Sequence, residues 1–441
     1  MRRFFKKNIW IIIIMVLVVV FPTGLSNQAK LNMRTIVTGL AIDKTDDGYE
    51  VTAQVVKTVS GTESSGIGAE IEFISDNAKT VSKGLAKLLY KAGKFSAFSH
   101  TNFIILGKDT LNEDVTKCLD IFLRDKVIKN SAMILFSKEK ASDEIKKTKN
   151  LELSVGLGLQ KVYSFKQEES EGLMMTVLDF LIANDTYGKI AVASVFELQE
   201  NKIGDASKGG SSSSSGESSS SSSSNSSQGN NESSSSGSSG SSSGGEESGI
   251  SSDSGQGSDK NSKVNFNANA SLYCFHDGKF LFDISNEDEI MGYMITREDT
   301  KTSYYELENI ECDSLVGVKM TISIKDKEIY KKLRFENEIP CLDIKININN
   351  AEVNEVISKY SYSNFTEKEY DAIKESLKKQ ITDNISKIFE KSKMYKADIF
   401  NAYEKAYKFN YKKLKKYYNN EQEFAEKLRL NVSIDIKNME N

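Results

Sequence analysis

From Thr366 onward, apolar side chains recur at Tyr370, Ile373, Leu377, Ile381, Ile385, Ile388 and Phe389. Steps of three and four place them on one face of an α-helix, with Lys368, Glu375, Lys378, Lys379, Asp383 and Lys387 mostly elsewhere. Thr366 and Glu369 supply the two halves of a capping box at its start. The pattern runs to Tyr395, which is about 45 Å of helix at 1.5 Å per residue. The sequence ends with Leu428, Leu430, Val432, Ile434 and Ile436 alternating with Arg429, Asn431, Ser433, Asp435 and Lys437. That period of two is a strand with one dry and one wet face. A long helix laid over a sheet that ends in the C-terminal strand is the predicted anchor of the fold.

The remaining sequence mixes both periods. Ile36 to Asp43 and Tyr49 to Val55 predict a hairpin about Asp46-Asp47-Gly48. Asp76 is expected to cap a helix carrying Val81, Leu85 and Leu88. Ser99 to Gly107, which contains His100, reads as a buried strand. A second helix from Val115 ends at Arg124-Asp125, and a strand follows from Ala132 to Phe136. Leu151 to Phe165 reads as strand-like, Met174 to Ile182 as helical and Ile190 to Leu198 as a strand. Further on, a hairpin turns at Asp277-Gly278 and a helical turn starts at Asn286. Strands are expected at Ser303 to Ile310, Val316 to Ile324 and Leu342 to Ile348, with a turn at Lys325-Asp326-Lys327.

Two segments stand outside this pattern. Arg2, Arg3, Lys6 and Lys7 precede an apolar run from Ile9 to Phe21, which predicts an N-terminal signal-anchor with the body extracytoplasmic. Ser207 to Lys263 is almost entirely Ser, Gly, Asn and acidic residues, with one sizeable apolar side chain, Ile250. So little apolar surface cannot offset the entropy of ordering, so a disordered insertion is expected there. The predicted class is α+β, with mixed β-sheets flanked by helices in two or three domains. The expected divisions are an anchor at 1–28, an N-terminal domain at 29–205, the insertion at 206–263, a middle β-rich subdomain at 264–345 and a C-terminal α+β domain at 346–441.

Composition narrows the chemistry. A net charge of -4 with 27% charged residues gives no reason to expect a nucleic acid partner. The four cysteines, Cys118, Cys274, Cys312 and Cys341, show no CxxC pair and no zinc spacing, and their spacing does not decide any disulfide. His100 and His276 have no nucleophile paired to them by sequence logic. Gly156-Leu157-Gly158 lacks the third glycine and the ribose acid of a dinucleotide site. No catalytic, cofactor or metal residues are therefore assigned. One stretch is distinctive: Tyr407, Tyr411, Tyr417 and Tyr418 interleave with Lys408, Lys412, Lys413, Lys415 and Lys416. It fits first a packed aromatic face with solvated lysines, and otherwise a contact with a partner or an anionic lipid surface through Tyr407, Tyr411, Lys412, Lys413 and Lys416.

Lys396-Ala397-Asp398-Ile399-Phe400-Asn401, Tyr407-Lys408-Phe409-Asn410-Tyr411 and the final alternating strand resemble the C-terminal domain of GerC-type proteins, the C subunits of spore germinant receptors. The N-terminal half agrees: Gly39-Leu40-Ala41-Ile42-Asp43 before an acidic turn is similar to the start of that family's extracellular region. His100, Arg124 and Asp125 match its recurrent residues, as Asp398 and Phe400 do later, and Asp277-Gly278-Lys279 resembles its hairpin. The sequence departs at Asn401 and Ala402, where the family has glycines, and at Tyr411 and Tyr417, where tryptophans are common. It also has no cysteine before Cys118, so the lipid attachment usual in the family is not expected. The resemblance implies a non-catalytic, membrane-anchored subunit of a nutrient receptor at the outer face of the inner spore membrane. Its implied partners are two membrane-embedded subunits, one transporter-like and one a spanning A-type subunit, and no cofactor is implied. The alternatives are an extracytoplasmic solute- or cell-wall-binding protein and an anchored enzyme.

Overall fold

The computed structural model describes residues 34–59, 68–91, 95–124, 129–150, 155–196, 198–200, 264–266, 271–308, 310–357 and 365–440. The expected anchor and the Ser-rich insertion lie outside the described residues. Among the described residues, no helix is long and apolar enough to cross a membrane.

The first sheet grows from the predicted hairpin. β1 (Arg34–Thr45) and β2 (Gly48–Val59) pair antiparallel, and β3 (Gly68–Ala78), which the sequence reading missed, continues beside β2. Asp76 belongs to β3 and caps no helix. It takes Lys87 and Lys91 of α1 (Val81–Lys91) at 3.1 and 3.6 Å. Thr80 Oγ1 instead accepts from the Lys83 amide at 3.2 Å. On the other side of β1 run β4 (Phe95–Ala97) and β5 (Phe103–Leu106), both parallel to it. α2 (Thr116–Arg124) then leads to β6 (Met133–Phe136), parallel to β5.

The continuous apolar runs have a reason: both faces of this sheet are covered. Leu40, Ile42, Ile104, Leu106, Ile134 and Phe136 meet α1, α2 and the later helix over Val177–Asp185. Ala41, Phe103, Ile105, Met133 and Leu135 meet α3 (Ala141–Lys147) and α4 (Val155–Glu168). α4 corrects the strand-like reading of 151–165. It buries Leu159 and Tyr163, and the Tyr163 hydroxyl donates to the Val195 carbonyl at 2.9 Å. α5 (Val177–Asp185) starts at a capping box of Thr176 and Asp179.

β7 (Ile190–Ser194) leads to the short β8 (Leu198–Glu200), which pairs with β9 (Val264–Phe266). β7 also pairs with β10 (Leu272–His276), whose partner is β11 (Lys279–Ile284). Asp277 and Gly278 make the tight turn with φ of 50° and 74°.

α6 (Glu287–Met294) precedes the last sheet, in the order β12, β13, β14, β15. β12 (Ser303–Leu307) pairs with β13 (Lys319–Glu336), and β13 forms a long antiparallel ladder with β14 (Ile339–Ile357). The turn expected at Lys325-Asp326-Lys327 is instead a bulge within β13. The backbone reverses at Asn337 and Glu338, both at positive φ. The division expected at 345/346 falls inside β14. β15 (Arg429–Glu440) runs parallel to β14 as an edge strand. Across this sheet lies α7 (Glu367–Met394), with Thr366 and Glu369 in a capping box and Ile373, Leu377, Ile381, Ile385 and Ile388 fully buried. Each such side chain contributes roughly 2 kcal/mol by leaving water. Gly292 lets α6 approach α7, since a Cβ there would lie 2.2 Å from the Asn384 carbonyl oxygen.

Candidate partner interface

Three short helices fill the space between α7 and the terminal strand: α8 (Ala402–Phe409), α9 (Tyr411–Tyr417) and α10 (Glu421–Lys427). Ala402, Tyr403, Ala406, Leu414, Tyr418 and Phe424 hold them to the core, and the Tyr418 hydroxyl donates to the Glu338 carbonyl at 2.9 Å. The polar positions between these anchors are forced outward. Lys408, Phe409, Tyr411, Lys412, Lys413, Lys415 and Lys416 are exposed, Phe409 by 79%. Phe409 is thus a large apolar side chain left in water, with Lys408, Lys412 and Lys413 near it in sequence.

The tyrosines are ordered by one another. Tyr407 stacks on Tyr187, ring centroids 3.5 Å apart, and meets Tyr411 edge-on at 5.0 Å. The hydrogen bond with Tyr187 holds the Tyr407 phenol above its ordinary pKa. Lys413 lies over Phe335 and Lys416 donates to the Tyr417 hydroxyl at 2.9 Å. Lys412, Lys413, Lys415 and Lys416 form no ion pair among the described residues, so the patch keeps its positive charge. Tyr407 and Tyr411 are in contact, and Lys412, Lys413 and Lys416 follow at exposed positions of α9.

The family-matching residues lie elsewhere and build structure. Asp43 is buried and accepts from the Ala141 and Ser142 amides at 2.7 and 2.8 Å, capping α3 from across the sheet. Gly107 is required beside it, because a Cβ there would stand 1.9 Å from Asp43 Oδ1. Asp398 repeats the device: it is buried and its Oδ2 accepts from the Tyr403 amide at 2.6 Å, at the start of α8. Burial pushes its carboxyl above the ordinary range. Phe400 is buried between Phe389 and the Lys331 ammonium. His100 is exposed on a 3₁₀ turn, not inside a strand, because β5 begins only at Phe103. Arg124 is exposed and pairs with Asp120; Asp125 lies outside the described residues.

Sequence reasoning missed three features. Tyr187 completes the aromatic stack from a loop more than two hundred residues away. His276 is no free hairpin tip: its Nε2 meets Glu421 Oε1 at 3.0 Å and ties the β10–β11 hairpin to α10. On β13, Lys327 and Lys331 are four residues apart on one face, which was the available signal. Lys327 donates to Thr300 Oγ1 at 2.6 Å, and desolvation lowers both lysines to about 8, with Arg297 and Lys405 adding repulsion at Lys331.

The cysteines are free thiols. Burial pushes Cys118 up to about 12 and raises Cys274 further, which makes both poor nucleophiles. Among the described residues, no group of three His, Cys, Asp or Glu side chains converges to hold a metal.

Comparison with known proteins completes the description. Residues 27–198 match the spore germination protein N-terminal domain, and residues 271–439 match the spore germination B3/GerAC-like C-terminal domain. YfkR of Bacillus subtilis (strain 168), a protein named for spore germination, is 27% identical over 144 residues, which is 31% of this chain and 38% of that relative. The match thus spans well under half the length of the relative. A crystal structure of the GerBC protein superposes with a TM-score of 0.46 at 16% identity, covering 91% of this chain and 97% of that one. With both domain models matched in order over most of its length, the chain belongs to the GerAC-like family of spore germination proteins.

Proposed function

We propose that this chain is a non-catalytic subunit of a spore germinant receptor, tethered through residues 1–28 at the outer face of the inner spore membrane. In this reading its body assembles with two membrane-embedded subunits, and the α8–α9 surface makes the contact. The observation that carries the reading is the combination of a largely exposed Phe409, the Tyr187–Tyr407–Tyr411 stack and four lysines without ion pairs among the described residues. Aromatic rings held in place lose little entropy on binding, and unneutralised lysines attract an acidic partner before contact. Membrane association and family membership agree with an apolar N-terminal run flanked by cations.

Co-purification from spore membranes tests it. A tagged protein is expected to bring down the two membrane subunits, and one carrying Lys412→Glu, Lys413→Glu and Lys416→Glu is expected to lose them. Liposomes of anionic phospholipid separate the lipid contact. If that triple variant retains both subunits but leaves liposomes, the surface serves headgroups instead.

A further inference from the structure

α7 carries a second face that its apolar core does not explain. The stripe Ala372, Ser376, Gln380 and Asn384 floors an open groove of about 910 Å³. One rim is Asp371, Glu375 and Asp383 of the same helix. The other comprises Asp288 of α6, Glu306 of β12 and Glu308 just beyond it. With Glu311, seven carboxylates line the groove against one lysine, Lys379. Lys387, Lys319, Lys379 and Lys378 pair with Asp288, Glu308, Glu311 and Glu375. Glu306, Asp371 and Asp383 have no ion-pair partner among the described residues.

The floor adds an independent observation. Asn384 is only 4% exposed, and its buried Nδ2 donates to nothing among the described residues. One turn earlier, the buried Gln380 Oε1 accepts nothing, while its Nε2 is held by the Glu306 carbonyl at 3.2 Å. Buried donors and acceptors are normally paired, and leaving them unpaired carries a desolvation cost. A free donor beside a free acceptor, one helical turn apart, is the complement of peptide carbonyl and N–H groups. The other wall has the same preference. β12 is an outer strand of its sheet, its Glu306 carbonyl held by Gln380, and an outer strand edge is where an extended segment docks. From Ala372 to Asn384 the floor runs about 18 Å at 1.5 Å per residue, room for about five extended residues at roughly 3.3 Å each.

We infer that the groove between α7 and β12 is a docking site for an extended lysine- or arginine-bearing segment of a partner protein. Docking turns the Gln380 and Asn384 amides, now buried, toward the groove, so that a backbone carbonyl of the segment accepts from Asn384 Nδ2, a backbone N–H donates to Gln380 Oε1, and the cationic side chains reach Glu306, Asp371 and Asp383. The carboxylates are strung along the groove, and no three of them converge on a metal among the described residues. A polypeptide bearing spaced charges suits that layout better than a single ion. The inference does not rest on the α8–α9 surface, so either can fail alone.

The test is fluorescence anisotropy with the full-length protein in detergent micelles and a labelled six-residue peptide alternating lysine and threonine. Saturable binding is expected, weakened about tenfold when Asp371→Asn and Asp383→Asn remove two exposed charges. Gln380→Leu is expected to weaken binding without changing its salt dependence, and a backbone N-methylated peptide of equal charge to bind less tightly. The inference is overturned by absence of saturable binding, by unchanged affinity in the Asp371/Asp383 variant, or by equal binding of the N-methylated peptide. Displacement of the peptide by millimolar calcium at constant ionic strength overturns it too, because that would make the groove a cation site.

Discussion

Asp43 and Asp398 do the same job in opposite halves of the protein, and they do it under different conditions. Both are buried aspartates that accept backbone amides at the start of a helix supplied by a later segment. Asp43 has both oxygens occupied, each by its own amide. Asp398 Oδ1 is buried without a hydrogen-bond partner, and desolvation raises its pKa. The difference teaches that the N-terminal corner is a finished structural joint, whereas the C-terminal corner carries an electrostatic load beside Lys331.

The comparison breaks most visibly at Asp43. Asp43→Ala leaves the Ala141 and Ser142 amides buried without an acceptor, and is expected to cost about 3 kcal/mol in urea unfolding of the full-length protein. A loss under about 1 kcal/mol would mean that α3 does not depend on this cap.

Asp398→Ala is expected to cost less, about 1–2 kcal/mol, because the penalty of burying the charge disappears with the cap. Its pH signature is the sharper measurement. The folded pKa lies above the ordinary 3.8, so the native state binds the extra proton between 3.8 and the raised value. Stability from this group is full below 3.8 and falls as pH climbs through the raised folded value. Asp398→Asn should abolish that decline; a melting profile that still declines equally would place its origin elsewhere.

Lys331 runs the other way. Its pKa falls from 10.5 to about 8, so between those values the unfolded state holds a proton the native one lacks, and stability rises with pH across that window. Lys331→Met should remove this group's part of the rise, leaving that of Lys327. Titration of thermal stability above pH 8 checks it.

The smallest loss of stability is expected from removing residues 209–261. β8 and β9 already pair at the two ends of the intervening segment, Glu200 opposite Val264. Shortening a loop of that length changes closure entropy by only about 2 kcal/mol. The variant should melt close to the full-length protein, and collapse of the fold would show that the segment is more than an excursion.

How much of this was readable in the sequence follows from how local each cause is. α7, its capping box and the alternating terminal strand were legible because each is written in consecutive residues with a clear period. The Asp277-Gly278 hairpin was legible because only certain residues accept positive φ in succession. α4 was misread because its glycines and β-branched residues lower helix propensity, and Leu159 and Tyr163 fold it through tertiary burial. The bulge at Asp326 was misread because three charged residues resemble a turn when the partner strand is unseen. Tyr187 and His276 complete their contacts across the fold, which no local pattern announces. The lysine and tyrosine text of α8 and α9 was visible, but which rings face outward was settled only by Leu414, Tyr418 and Phe424 turning inward.

The central claim is that this protein works by contact through α8 and α9. Phe409→Asp with Tyr411→Asp changes exposed positions and removes one edge-on ring contact, so unfolding should move by no more than about 1.5 kcal/mol. Quantitative recovery of the two membrane subunits with the tagged protein from spore membranes is then the deciding measurement. The account predicts at least tenfold less recovery with the double variant at equal protein abundance; undiminished recovery would contradict it.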